Sequence, residues 1–107
     1  MNQQDFDDLL ETQLARVSSV LGLKTKEYAT ETDQLKNIRD AAELQGLTMQ
    51  EAVGGMMAKH TVSIYSMIKD TGTLYPDAVW DEKITDHIIW LILLRAVLED
   101  NYNQRGS

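Results

Sequence analysis

Trp80-Asp81-Glu82-Lys83-Ile84-Thr85-Asp86-His87-Ile88-Ile89-Trp90-Leu91-Ile92-Leu93-Leu94-Arg95-Ala96-Val97-Leu98 is the stretch that decides how this chain folds. Two acids, Glu82 and Asp86, lead into seven consecutive apolar residues, Ile88 to Leu94. On a helix, one stripe runs Trp80, Ile84, His87, Leu91, Leu94, Leu98, and the opposite stripe runs Glu82, Asp86, Trp90, Leu93, Val97. Both faces are therefore apolar, which predicts burial on two sides. In so short a chain, that points to packing against a second copy. The acids head the second stripe, about 40° apart around the axis and roughly 6 Å along it. Half desolvated, two such carboxylates repel, and a cation or a proton relieves them. The plainer reading is a solvated first turn, where acids suit the positive end of a helix.

Outward from that helix, the remaining pattern is helical too. Phe6, Leu9, Leu10, Leu14, Val17, Val20 and Leu21 recur at helical spacing, predicting a first helix from about Asp5 to Leu21 with Gly22 as its stop. Lys24 to Glu31 reads as a helical turn followed by a loop. Leu35, Ile38, Ala41, Ala42 and Leu44 mark a short second helix, from Thr32 or Asp33 to Gln45, closed by Gly46. Thr48-Met49-Gln50-Glu51 is a capping-box pattern that opens a third helix reaching about Lys69. Asp70-Thr71-Gly72-Thr73 is a turn, and Pro76-Asp77 precedes the fourth helix, which ends near Asn101. Residues 103–107 are expected to be loose. The expectation is a single all-α domain over residues 1–107, four-helix and bundle-like.

Composition narrows the function. With 17 acids against 10 bases the net charge is −7, a field that repels polymeric DNA. Cysteine is absent, which removes disulfides and thiolate metal sites and suits a reducing compartment. The polar start Met1 to Asp5 has no signal-peptide pattern. A seven-residue apolar run is far short of the ~20 that span a membrane. The expectation is a cytoplasmic protein without a membrane partner. Lys24, Lys26, Lys36, Arg39 and Lys59 concentrate half of the bases in the middle of the chain. A local basic site on an acidic protein suits a small anionic ligand.

Several residues could serve such a ligand. Lys59 shares a stripe with Ala52, Gly55, Met56 and Ser63, so its ammonium emerges from the packed side to snorkel outward or meet an anion. Lys26, Glu27 and Tyr28, followed by Asn37, offer a phosphate partner, a carboxylate, an aromatic face and an amide. Singly, each is ordinary surface. Gly54-Gly55 costs a helix about 1 kcal/mol per residue, which a close helix crossing or an approaching ligand explains; the crossing is the expectation here. His60 and His87 lie on apolar stripes and read as core residues, and Met49, Met56, Met57 and Met67 as core filler. No phosphate loop, nucleophile elbow or zinc spacing is present.

Lys26-Glu27-Tyr28, Leu35-Lys36-Asn37-Ile38, Ala41-Ala42, Met56-x-x-Lys59-His60 and Asp81-Glu82-Lys83-x-x-Asp86 together give the chain a pattern from Phe6 to Leu98. That pattern resembles small phage and prophage proteins related to the nucleotide modification associated domain. More distantly, it is similar to the MazG-like all-α NTP pyrophosphohydrolases. The resemblance implies an oligomeric four-helix scaffold in the cytoplasm of an infected or lysogenic bacterium, holding a nucleotide and Mg²⁺. Lys26, Tyr28, Asn37 and Lys59 match the polar positions of the phage group, and Glu82 and Asp86 the acidic positions of the late helix. The pyrophosphohydrolases also carry an earlier Glu-Glu-x-x-Glu, which is absent here, and their later Glu-x-x-Asp is stretched to Glu-x-x-x-Asp.

Three functions compete. The first is capture of a small phosphorylated nucleotide, such as a signalling or modified nucleotide. Lys26 and Lys59 would meet phosphate, Tyr28 or Trp80 would stack on the base, and Asn37 would bond a base edge. The second is Mg²⁺-dependent pyrophosphate release, with Glu27, Glu82 and Asp86 as metal ligands. Two-metal chemistry needs several convergent carboxylates, and this set is small. The third is a helical interaction protein that acts through its apolar fourth helix.

Overall fold

The computed structural model describes residues 1–28 and 35–105, and for 23–28 and 105 the backbone alone. Among the described residues there are four helices and no strand: α1 (Gln3–Tyr28), α2 (Lys36–Gln45), α3 (Met49–Lys69) and α4 (Asp77–Arg105). The all-α expectation therefore holds.

α3 and α4 form the centre, an antiparallel pair joined by a short turn. Their direction follows from the partners: Thr61 meets His87, His60 stacks on Trp90, and Val53 and Val97 share one apolar cluster. α2 closes over that cluster with Leu35 and Ile38, while Met57, Leu93 and Leu94 pack around it. α1 lies on the other flank of α4, also antiparallel. Gln13 Nε2 donates to Thr85 Oγ1 at 3.0 Å, and Arg16 meets Asp81 at 2.8 Å. Thr85 Oγ1 donates in turn to Asp81 Oδ1 at 3.3 Å. Thr85, the only buried polar residue among the described residues, is thus bonded to both helices.

The ends follow local rules. Thr48 Oγ1 accepts from the Glu51 amide at 3.1 Å and Glu51 Oε1 accepts from the Thr48 amide at 3.0 Å, the reciprocal box expected from the sequence. Gly46 sits at φ 69°, the left-handed conformation that a residue without Cβ tolerates. Its amide bonds Glu43 O, and the Leu47 amide bonds Ala42 O, so α2 ends in a Schellman motif. Asp70 holds the turn into α4 by accepting from the Thr73 amide and from the Tyr75 hydroxyl. Side-chain hydrogen bonding from Thr73, then from the Tyr75 hydroxyl, keeps its carboxyl below the usual 3.8.

Three expectations are corrected. Gly22 does not stop α1, which continues as helix through Tyr28. One glycine costs about 1 kcal/mol, and no proline follows before Pro76 to force a break. α4 likewise runs to Arg105, so residues 103–105 are helical rather than loose; no breaker follows Asn101 until Gly106. Gly54 and Gly55 do not mark a helix crossing. A Cβ built on either would meet nothing within 4 Å. The expected start of the second helix at Thr32 or Asp33 lies outside the described residues.

Neither apolar stripe of α4 is the core face on its own. Thr85, Ile89 and Val97 are its buried positions, and Ile89 belongs to neither stripe, whereas Ile84 and Leu91 keep 40% and 48% of their surface in solvent. Truncation should separate these environments. Ile89→Ala, at a fully buried position, is expected to cost about 2–5 kcal/mol in urea unfolding. Leu44→Ala, at an exposed one, should change stability by less than about 0.5 kcal/mol.

Candidate functional site

Lys59 stands two helical turns beyond Ala52 on α3, with Gly55 and Met56 between them on the same side. These residues line a cleft of about 520 Å³ whose further wall is formed by His60 and Trp90. The two rings stack with centroids 6.3 Å apart and planes 30° from parallel. Trp90 also packs on the apolar cluster of Val53 and Val97, so its indole is held from behind. Gly55 adds no side chain, leaving that wall low beside the lysine. Lys59 itself is exposed, and its ammonium makes no hydrogen bond or ion pair to the described residues. The cleft thus offers one uncommitted cation next to an aromatic wall.

The cleft's carboxylate is committed. Glu51 accepts from Thr48, and the backbone bond first, then the hydroxyl, holds its pKa below the usual 4.5. It is therefore ionised at neutral pH as part of the helix cap.

The remaining expected residues are distributed as follows. Asp86 is half-buried one helical turn before Trp90, on the stripe that includes Trp90, and it makes interactions of its own. Glu82 is exposed one turn earlier. Asn37 is exposed in the first turn of α2, eight residues or about 12 Å along the helix from Gln45 at the cleft. Trp80 is not at this cleft. It lies about 15 Å further along α4 from Trp90, with Tyr75 edge-on at 6.0 Å, in a cleft with Leu9 and Arg16 of α1. Lys59 and Trp80 therefore line different clefts. The side chains of Lys26, Glu27 and Tyr28 lie outside the described residues. Of the other bases, Lys36 is paired with Asp40 on its own helix, and Arg39 is also engaged.

Metal binding can be tested on the donors present. Among the described residues no group of three or more His, Asp or Glu side chains converges. Glu82 and Asp86 alone make a poor match to the near-octahedral oxygen shell of Mg²⁺. No chemical step is derived through a metal here.

Sequence reasoning missed the ring pair. Trp90 reads as core because it stands inside the apolar run, and His60 because it shares a stripe with Met57 and Ile64. The available signal was register: in an antiparallel α3–α4 pair, His60 and Trp90 fall opposite one another beside Lys59. His87, by contrast, is a satisfied packing residue as expected. The Thr61 hydroxyl donates to Met57 O at 3.1 Å, so the 2.9 Å bond between Thr61 and His87 has Nε2–H as its donor.

No family model, no curated protein and no solved structure matches the chain.

The Glu51 shift has a measurable sign. A carboxyl whose folded pKa is depressed contributes stability above its unfolded value, about 4.5, and loses it as pH falls through the lower folded value. Glu51→Gln keeps an acceptor for the Thr48 amide but removes the proton linkage. The variant should show a shallower acid limb than the wild type below about pH 4.5 in circular-dichroism titration. Parallel limbs would remove Glu51 from the linkage.

Proposed function

We propose that this protein binds a small phosphorylated nucleotide in the Lys59 cleft and captures it rather than turning it over. The observation that carries this reading is the uncommitted Lys59 ammonium beside the His60–Trp90 ring pair. An ammonium is a good point partner for phosphate, and a charge-assisted bond contributes about 1.5–3 kcal/mol. An aromatic wall accepts any base face, for roughly 1–3 kcal/mol per stacked base. Within this reading Trp90 takes the stacking role expected of Tyr28 or Trp80. A cleft of about 520 Å³ falls in the usual range for small-ligand sites. Gly55, open and on the cleft wall, fits as well. An exposed helical glycine that nothing touches costs stability, and an incoming ligand supplies a reason to keep it. Asn37, Lys26 and Tyr28 remain candidate contacts from the neighbouring segment, on the strength of the phage-protein resemblance alone. That resemblance also carries the proposed setting, the cytoplasm of an infected or lysogenic bacterium, and a homo-oligomeric state. Among the described residues no helix is long and apolar enough to cross a membrane, consistent with that setting.

Mg²⁺-dependent pyrophosphate release is the less supported form of the reading, because no three donors converge among the described residues. An assay for pyrophosphate release from nucleoside triphosphates with Mg²⁺ separates the two. Steady release would replace capture with turnover.

Binding is read by titrating nucleoside mono-, di- and triphosphates into the Trp80→Phe variant, which leaves Trp90 as the sole indole. Quenching of that indole, with affinity reduced roughly ten- to a hundredfold in Lys59→Ala at unchanged melting temperature, is the expected result. Unchanged affinity in Lys59→Ala would remove the lysine from the site. Gly55→Ala should split the two properties. It should raise helix stability by up to about 1 kcal/mol while weakening ligand binding, because the added methyl narrows the cleft. A stabilised variant that binds as well as the wild type would argue against this wall.

A further inference from the structure

α4 carries an apolar strip between its two flanking helices that no described residue covers. On the α1 side, Leu9, Trp80 and Ile84 line a cleft of about 510 Å³. On the α3 side, Ile64, Tyr65, Ile84, Ile88 and Leu91 line a second, of about 290 Å³. Ile84 belongs to both, so the two clefts adjoin at that residue and together make a trough along α4, walled by α1 in one part and by α3 in the other. Ile84 and Leu91 are 40% and 48% exposed there, and Tyr65 more so. In a bundle of helices this trough is the position of a missing neighbour.

The whole-chain surface points the same way. The protein exposes 7812 Å², where a compact monomer of 12.1 kDa should expose about 6000 Å². Its radius of gyration is 16.3 Å against about 13 Å expected for this length. The excess of roughly 1800 Å² comfortably exceeds the ~800 Å² that each partner buries in a standard-sized interface.

We propose that a second copy of this chain occupies the trough, α4 against α4 and antiparallel about a two-fold axis near Ile88. This deepens the homo-oligomer reading above, on which it rests, by naming the face. Self-pairing suits the strip for two reasons. Such an axis sets Ile84 of one copy against the partner's Leu91, matching the two most exposed apolar side chains that α4 itself contributes to the trough. The strip's ends also carry opposite charge. Asp77 opens α4 and Arg95 stands beyond Leu91, so the antiparallel arrangement brings each Arg95 to the acidic start of the other copy's helix. Arg95 is 72% exposed and holds only a 3.6 Å pair with Glu99, leaving it able to reach. A parallel pairing would set acid against acid, and the net charge of −7 per chain makes that costly.

The chain has no cysteine, so a single introduced thiol reports on the axis directly. Light scattering of the wild type from micromolar to several hundred micromolar should give twice the 12.1 kDa chain mass or a higher even multiple. Ile84→Glu, at a half-exposed position, should keep its helical circular dichroism and weaken association at least about a hundredfold, since each copy would bury an unpaired carboxylate. Ile88→Cys should form an intermolecular disulfide under mild oxidation, and Ser66→Cys, on the exposed side of α3, should not. A wild type at chain mass throughout the range would overturn both the oligomer and the face. An oligomeric wild type whose mass survives Ile84→Glu, or in which Ile88→Cys fails to crosslink, would overturn the face and leave self-association standing.

Discussion

The burial of Val53 against Val97, with Leu35 and Ile38 of α2 closing over them, is the contact on which the rest of this structure depends. It joins three helices at one point and fixes the register of α3 on α4. Once that register is set, His60 has to meet Trp90 and Thr61 has to meet His87, because those pairs lie two to three turns further toward the Asp70 end. The Lys59 cleft is thus a by-product of core packing. Its aromatic wall stays rigid because Trp90 serves the core with its other edge.

α1 is attached by different means. It is tied to α4 by the Gln13–Thr85–Asp81–Arg16 series of hydrogen bonds, which includes one ion pair. Such a half-exposed pair contributes at most about 1 kcal/mol, so the hold on α1 is modest beside the α3–α4 contact. Its apolar residues Phe6, Leu9, Leu10 and Leu14 all stay half-exposed or more. The chain therefore has a firmly packed half around α2, α3 and the C-terminal part of α4. Its other half has apolar surface to spare, and that is the half where a partner would add most.

The two functional surfaces proposed lie on different sides of α4. The ligand cleft uses the side turned toward α2 and α3, through Trp90; the self-association trough uses Ile84, Ile88 and Leu91. On this proposal one helix would serve a core, a ligand wall and an interface. This explains why its sequence shows no single hydrophobic face.

The sequence by itself determined the helical class, the capping box at Thr48, the glycine cap at Gly46 and the turn at Asp70. Each of these is written in neighbours three or four residues apart, where local hydrogen bonding and side-chain spacing decide. Its errors were at points that local rules leave open. Gly22 and the segment after Asn101 carry no obligatory breaker, so helices extend through them. Gly54-Gly55 looked like a crossing because composition records the missing side chain without saying what stands opposite. Only the tertiary structure decided that Trp90 rather than Trp80 shares a cleft with Lys59, and that Ile84 and Leu91 face outward while Ile89 is enclosed. Those outcomes depend on which of several equally apolar stripes meets α3, and that choice is made by the fit of Val53, Val97 and Ile38 across elements distant in sequence.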